Sequence, residues 1–134
     1  MYVSVSNGDS KAFFGENSAS HFRVNLGKTL HLEGNWSVAV VELHISENSA
    51  NLGLLGISCD ICNGIWMNGL QSHVLRRFNC RKNLHESFPW PFYLPVDKVF
   101  IDTLEFFITT SDGEEASLSG GVMVEFTLHF RENV

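Results

Sequence analysis

Residues 122–131 constrain the fold of this chain most strongly, because every second side chain is apolar and the alternate positions from Glu125 to Arg131 are polar. The apolar members occupy every second position: Val122, Val124, Phe126, Leu128 and Phe130. Successive side chains of a β-strand point to opposite faces, so this pattern predicts a strand with one buried face. We expect Val124, Phe126 and Leu128 to be core anchors on that face.

Other runs are shorter, but they alternate in the same way or are rich in β-branched residues. They predict strands at residues 21–26, 36–45, 54–61, 74–78 and 99–110. The alternation of the last run slips near Asp102 and Thr103, which predicts a β-bulge. Trp36 begins the second run, and we expect it to anchor the core as well.

Turn-forming residues separate these runs at regular intervals. They are Asn7-Gly8-Asp9, Glu33-Gly34-Asn35, Asn63-Gly64, Asn68-Gly69, Asp112-Gly113 and Gly120-Gly121. Three prolines between residues 89 and 95 predict an extended connection before the C-terminal strands. Many short strands divided by turns predict one all-β domain over residues 1–134, a sandwich or a barrel.

The composition is lean in charge, with 18% charged and 44% hydrophobic residues in 134 positions, and it includes eleven Phe. Phe has no polar tip, so this number predicts a dense core or an apolar surface hidden by a partner. The composition therefore predicts an oligomer or a subunit of an assembly, and a monomer with a Phe-rich core is the alternative.

The formal net charge of -6 argues against general binding to nucleic acid or to an anionic membrane. Three cysteines, Cys59, Cys62 and Cys80, are an odd number, which favours folding in a reducing compartment. The N-terminal residues do not resemble a signal peptide, and no apolar run reaches the length of a membrane helix. These features predict a soluble protein made in the cytosol.

Several short motifs extend over more than a hundred residues of the chain. Their residues lie in three stretches: Phe22, Val24, Leu26, Leu30, Leu32, Gly34, Trp36, Val38, Ala39 and Glu42; Cys59, Asp60, Leu75 and Arg76; and Tyr93, Pro95, Val96, Ile108, Gly113, Gly121, Val122, Leu128, His129, Phe130 and Arg131. In this order they resemble a known family, the small single jelly-roll capsid proteins of Polinton (Maverick) elements, adintoviruses and related virophages.

This resemblance implies an antiparallel β-sandwich with a single jelly roll. It implies a penton (vertex) or minor capsid protein that self-associates, as a pentamer before a trimer, and contacts the major capsid protein. The implied location is the virion, after synthesis in the host cytosol and with the nucleus as one place of assembly. A domesticated copy in an animal genome would have the same sequence pattern.

A zinc site is one candidate, because Cys59 and Cys62 form a CxxC motif, with Cys80 and His85 downstream. We predict no metal there. Cys59 falls in a predicted strand, where residues three apart point to opposite faces, and the downstream pair lacks the spacing of a zinc ribbon. The expectation is three buried, inert cysteines and no cofactor.

Catalytic motifs are missing from the sequence. There is no Gly-x-Ser-x-Gly elbow, and the glycines of residues 53–56 lack the Lys-Ser/Thr ending of a phosphate loop. Glu114 and Glu115 follow Asp112-Gly113 and indicate a solvated turn. We therefore predict no catalytic residue and no enzyme.

Arg76, Arg77, Arg81 and Lys82 form a basic cluster. The cluster could bind a partner with acidic groups, and the acidic net charge favours a protein over nucleic acid. The alternative is a solvated loop after a strand.

His129 is predicted on the polar face of the last strand. It could act as a pH sensor, or it could form a hydrogen bond across the sheet.

A second function class is a β-sandwich head that binds a receptor or glycan. Trp66, Trp90 and Tyr93 could stack on sugars, although the neighbouring prolines favour a packing role for Trp90.

Overall fold

The computed structural model describes residues 1–46, 53–62, 65–67, 70–72, 74–118 and 121–133. Within these residues the chain forms eleven β-strands and no helix: β1 (Tyr2–Ser6), β2 (His21–His31), β3 (Trp36–Ile45), β4 (Gly53–Cys59), β5 (Ile65–Met67), β6 (Leu70–Ser72), β7 (Val74–Cys80), β8 (Leu84–Ser87), β9 (Leu94–Pro95), β10 (Phe100–Thr110) and β11 (Val124–Glu132). The described part of the chain therefore contains no helix that could cross a membrane. The predicted turns Asn63-Gly64 and Asn68-Gly69, and Gly120 of the last predicted turn, lie outside these residues.

Two antiparallel sheets pack face to face. One sheet has the order β1-β11-β3-β8, with β9 pairing to β3, and the other has the order β2-β10-β4-β7. The short strands β5 and β6 pair with each other.

The strand order is that of a jelly roll. Strands from the first half of the chain pair antiparallel with strands from the second half, β1 with β11, β2 with β10, β3 with β8 and β4 with β7. Successive pairs alternate between the two sheets, as in a long hairpin wrapped around a barrel. The prediction of an all-β, antiparallel sandwich of single jelly-roll type is confirmed.

The core between the sheets is centred on aromatic rings. Phe106 lies 5.4 Å from Phe22 and 4.8 Å from Phe126, measured between ring centroids. All three are fully buried, and Phe130 is too. The Phe106–Phe126 pair is edge-to-face, and such pairs contribute beyond their buried area, so this cluster holds the two sheets together.

The predicted core face of β11 is inside the sandwich. Val124, Phe126 and Leu128 are buried, because alternate residues of the strand point towards the opposite sheet. Trp36 begins β3 as predicted, but its ring is only partly buried against the core. It lies at the rim, where its indole N–H donates to the Glu33 carbonyl at 3.0 Å.

Most strand predictions agree with the structure to within a few residues, and β3 agrees completely. The bulge in β10 is confirmed, since the register shifts between Ile101 and Thr103. The prediction for residues 54–61 is wrong at its end, because β4 stops at Cys59 and the chain turns there.

Gly34 and Gly113 take positive φ values of 94° and 84°, which explains glycine in these two turns.

Candidate functional surfaces

The predicted basic cluster does not form one patch. Arg76 and Arg77 are neighbours on β7 and therefore point to opposite faces. Arg77 is exposed, as are Arg81 and Lys82 in the turn before β8. Only these last three are available to a partner as solvated charges.

Arg76 is held within the molecule instead. Its guanidinium lies 3.9 Å above the centre of the Phe88 ring, and its Nη1 donates to the Trp90 carbonyl at 3.3 Å. Phe88 is buried, and its N–H donates to the Val41 carbonyl of β3. Arg76 thus fastens the edge strand β7 to the segment that follows β8, which is a structural role.

Trp90 is exposed at this edge, with Phe92 near it in the chain. The Trp90 side chain is 86% exposed and that of Phe92 43%. The packing role favoured for Trp90 is therefore wrong: the carbonyl of Trp90 is bound by Arg76, while its indole points to solvent. We call Trp90 and Phe92 the Trp90 patch.

A second exposed apolar surface borders the opposite edge of the same sheet. Phe100 is 66% exposed and stacks on His31 of edge strand β2, with 4.6 Å between ring centroids. Val99 is exposed beside it, and its carbonyl accepts the Leu32 N–H at 2.7 Å. We call Val99 and Phe100 the Phe100 patch.

His129 lies in an aromatic cluster on the outer face of β11. Its ring stacks on Tyr2 at 4.5 Å, and its Nδ1 is 2.7 Å from the Tyr93 hydroxyl. The Arg131 guanidinium lies 3.6 Å above the Tyr93 ring. Burial lowers the pKa of His129, and the Met1 ammonium and Arg131 lower it further. Tyr93 is partly buried here and bonded to His129.

A second polar cluster lies on the outer face of the other sheet. Glu105 bonds to His21 at 2.7 Å and to Arg23 at 3.1 Å, while Phe107 stacks on His21 at 4.2 Å. The hydrogen bond from His21 lowers the pKa of Glu105, with Arg23 acting in the same direction. No sequence signal identified this cluster, because it depends on Arg23 standing opposite Glu105 in the β2–β10 register.

An open pocket of about 410 Å³ adjoins that cluster at the β1–β2 connection. Phe13 and Phe14 supply apolar walls, while Asn17, His21 and Arg23 supply polar groups. Its size falls within the range of small-ligand sites.

The four candidate zinc ligands do not converge on one site. Cys80 stands opposite Gly53 at one end of β4, and Cys59 ends that strand six residues later, about 20 Å away. His85 lies in the other sheet and bonds to Glu42 at 3.0 Å. No cluster of metal-binding side chains occurs among the described residues.

Contrary to the prediction, Cys59 and Cys62 do not lie on opposite faces of one strand, because β4 ends at Cys59. The chain turns at Cys59, and the Cys62 N–H donates to the Cys59 carbonyl at 3.4 Å. The Cys62 side chain is close enough to raise the pKa of the Cys59 thiol, and both residues are buried.

No protein-family model matches the sequence, and no curated protein matches it. Among solved structures, the chain is similar to a chain of the T13 IBDV viral particle, with a TM-score of 0.41 and 16% identity. The match covers 99% of this chain and 31% of that one, so this chain spans about a third of that chain's length. A likeness of this size defines neither a family nor a function.

Proposed function

We propose that this chain is a structural virion protein, a penton or minor capsid subunit that self-associates and contacts the major capsid protein. The observation that carries the proposal is the eight-strand pairing order, because jelly rolls of this kind build viral capsid domains. The resemblance of its motifs to small capsid proteins of Polinton elements supports the same role. In this role the protein is not an enzyme and needs no cofactor.

The arrangement of exposed aromatic side chains favours a ring. The Trp90 patch borders edge strand β7, and the Phe100 patch borders edge strand β2 of the same sheet. Contact between two different patches on neighbouring copies is heterologous, and repeated rotation can close it into a ring. We favour a pentamer over a trimer, as in the family that the sequence resembles.

Burial of these patches supplies the driving force for assembly. Burial of apolar surface stabilises an interface by about 25 cal/mol for each Å² removed from water, and aromatic residues are enriched in interface cores. Exposed Arg77, Arg81 and Lys82 then remain for acidic groups of a neighbouring capsid protein. Nucleic acid is not required for assembly in this account, and the assembled protein resides in the virion.

Two single variants and their mixture test the ring. We expect Trp90→Ser and Phe100→Ser each to abolish oligomers in native mass spectrometry, since each removes one half of every contact. An equimolar mixture should form heterodimers, because the intact Trp90 patch of one variant meets the intact Phe100 patch of the other. Phe13→Ser is the matched control: Phe13 is 70% exposed but lies in the β1–β2 connection.

Other results would contradict the ring. If the Phe100→Ser variant oligomerises like the wild type, the Phe100 patch is not an interface. If the mixture remains monomeric while wild type assembles, the contact does not join these two patches. Circular dichroism spectra of all variants should match that of the wild type, which shows that any loss is one of association.

The second candidate function is a receptor- or glycan-binding head, of a virus or of a domesticated viral gene. The exposed indole of Trp90 and the pocket beside Phe13 and Phe14 favour it, since sugars stack on aromatic rings. A monomer that binds an immobilised glycan, and loses binding in Trp90→Ser or Phe14→Ser, would support this function over the capsid role.

A further inference from the structure

The turn that follows β4 brings two cysteines together. The Cys62 N–H bonds to the Cys59 carbonyl at 3.4 Å, which closes a reverse turn through Asp60 and Ile61. Both cysteines are almost fully buried, and the Cys59 thiol donates to Asp60 Oδ1 at 3.6 Å. The Cys62 thiol is close enough to raise the pKa of the Cys59 thiol.

This geometry matches the requirements of a disulfide. The ends of a β-turn have Cα atoms less than about 7 Å apart, and disulfides span roughly 4.4–6.8 Å between Cα atoms. Cys80 stands opposite Gly53, about 20 Å from Cys59 along the sheet. Of the three cysteines, all within the described residues, only Cys59 and Cys62 are placed to pair.

We propose that Cys59 and Cys62 form a reversible disulfide when the protein leaves a reducing compartment for an oxidising one. The oxidant is a small-molecule disulfide such as oxidised glutathione. The two S–H bonds break and one S–S bond forms, through a mixed disulfide, while the oxidant's S–S bond is reduced to two thiols. Those two thiols take up the two electrons and the two protons, so the exchange balances.

The cross-link would fasten a junction between distant parts of the chain. The Asp60 N–H donates to the Glu105 carbonyl at 3.1 Å, and the Asp97 N–H donates to the Ile61 carbonyl at 3.0 Å. Lys98 forms an ion pair with Asp60 at 3.5 Å. The turn thereby ties β4 to β10 and to the segment before it. This inference does not depend on the proposed capsid role, since the same junction exists in a monomer.

The environment of the pair makes the reaction slow at neutral pH. Burial raises the pKa of the Cys59 thiol, and the neighbouring Cys62 thiol raises it further. The thiolate is the attacking form, so oxidation needs a transient opening of the turn and accelerates as pH rises. The pair should therefore persist as thiols in the cytosol and close later.

The test uses the full-length wild-type protein incubated with oxidised glutathione at pH 7.5 and at pH 9. We expect an intact mass lower by two hydrogens, formed faster at pH 9. Alkylation after unfolding should then modify Cys80 only. Peptide mapping should recover Cys59 joined to Cys62, and Tm should rise by roughly 5 °C, reversibly with a thiol reductant.

Matched variants separate this pair from other reactions. Cys80→Ser should lose two hydrogens like the wild type, whereas Cys62→Ser should gain only a glutathione adduct. A folded wild type that keeps three alkylatable cysteines after prolonged oxidation at pH 9 overturns the inference. A peptide map that joins Cys80 to either partner, or a disulfide still formed within the Cys62→Ser variant, overturns it too.

Discussion

The aromatic side chains at the centre of the sandwich and those at the edges of the four-stranded sheet differ in environment, although both sets lie in or beside β-strands. Phe22, Phe106 and Phe126 are fully buried and touch one another. Trp90 and Phe100 are 86% and 66% exposed, and their backbones are fixed by neighbouring strands. Aromatic side chains therefore have two roles in this protein: those at the centre stabilise the fold and, in our proposal, those at the edges mediate association.

The largest expected effect concerns the centre. Phe126→Ala removes a buried ring that contacts both Phe22 and Phe106, so we expect the free energy of unfolding to fall by about 3–5 kcal/mol. Urea denaturation with circular dichroism measures this change. The matched edge variant, Phe100→Ala, should change monomer stability by less than about 0.5 kcal/mol. Similar losses in the two variants would erase the distinction between centre and edge.

The core face of β11 could be predicted from the sequence, because alternate residues of a strand lie on the same face. Val124, Phe126 and Leu128 follow that rule without any knowledge of their partners. The edge patches could not be predicted from the sequence, because the exposure of Phe100 depends on its register against His31, which the sequence does not give. The same limit hid Glu105 beside His21 and Arg23. Trp90 was assigned to packing because prolines flank it, although its side chain is exposed. The end of β4 was missed because Cys59 and Ile61 suit a strand, although hydrogen bonds turn the chain there.

An intermediate effect is expected where an edge strand is fastened. Arg76→Ala removes the cation above Phe88 and the bond to the Trp90 carbonyl, so we expect a loss of about 1 kcal/mol in unfolding free energy. Arg77→Ala, on the exposed face of the same strand, is the control and should lie within about 0.5 kcal/mol of wild type. Equal effects of the two variants would contradict the assignment of Arg76 to structure and Arg77 to solvent. Thermal denaturation of both proteins at one pH decides between these outcomes.

A smaller effect is expected from His129 on the outer face of β11. Its pKa is lowered from 6.5 in the folded protein, so the unfolded chain binds a proton more readily. The stability that neutral His129 contributes is therefore present above pH 6.5 and is lost as the pH falls below it. His129→Gln keeps a polar group near Tyr93 but cannot titrate there.

The measurement for His129 is the Tm of wild type and His129→Gln between pH 8 and pH 5. We expect the advantage of wild type over the variant to shrink as the pH falls. An advantage that stays constant, or that grows in acid, would show that burial and the cations near this ring do not disfavour its protonation.

Light scattering on the purified wild-type protein, at high micromolar concentration without nucleic acid, tests the central claim that the edge aromatics serve assembly. We predict one defined species of five times 15.0 kDa, or three times for a trimer, that persists in moderate salt. Persistence follows because salt screens charge pairs and leaves apolar contacts intact. A protein that remains at 15.0 kDa under these conditions would contradict self-association and favour the receptor-binding head.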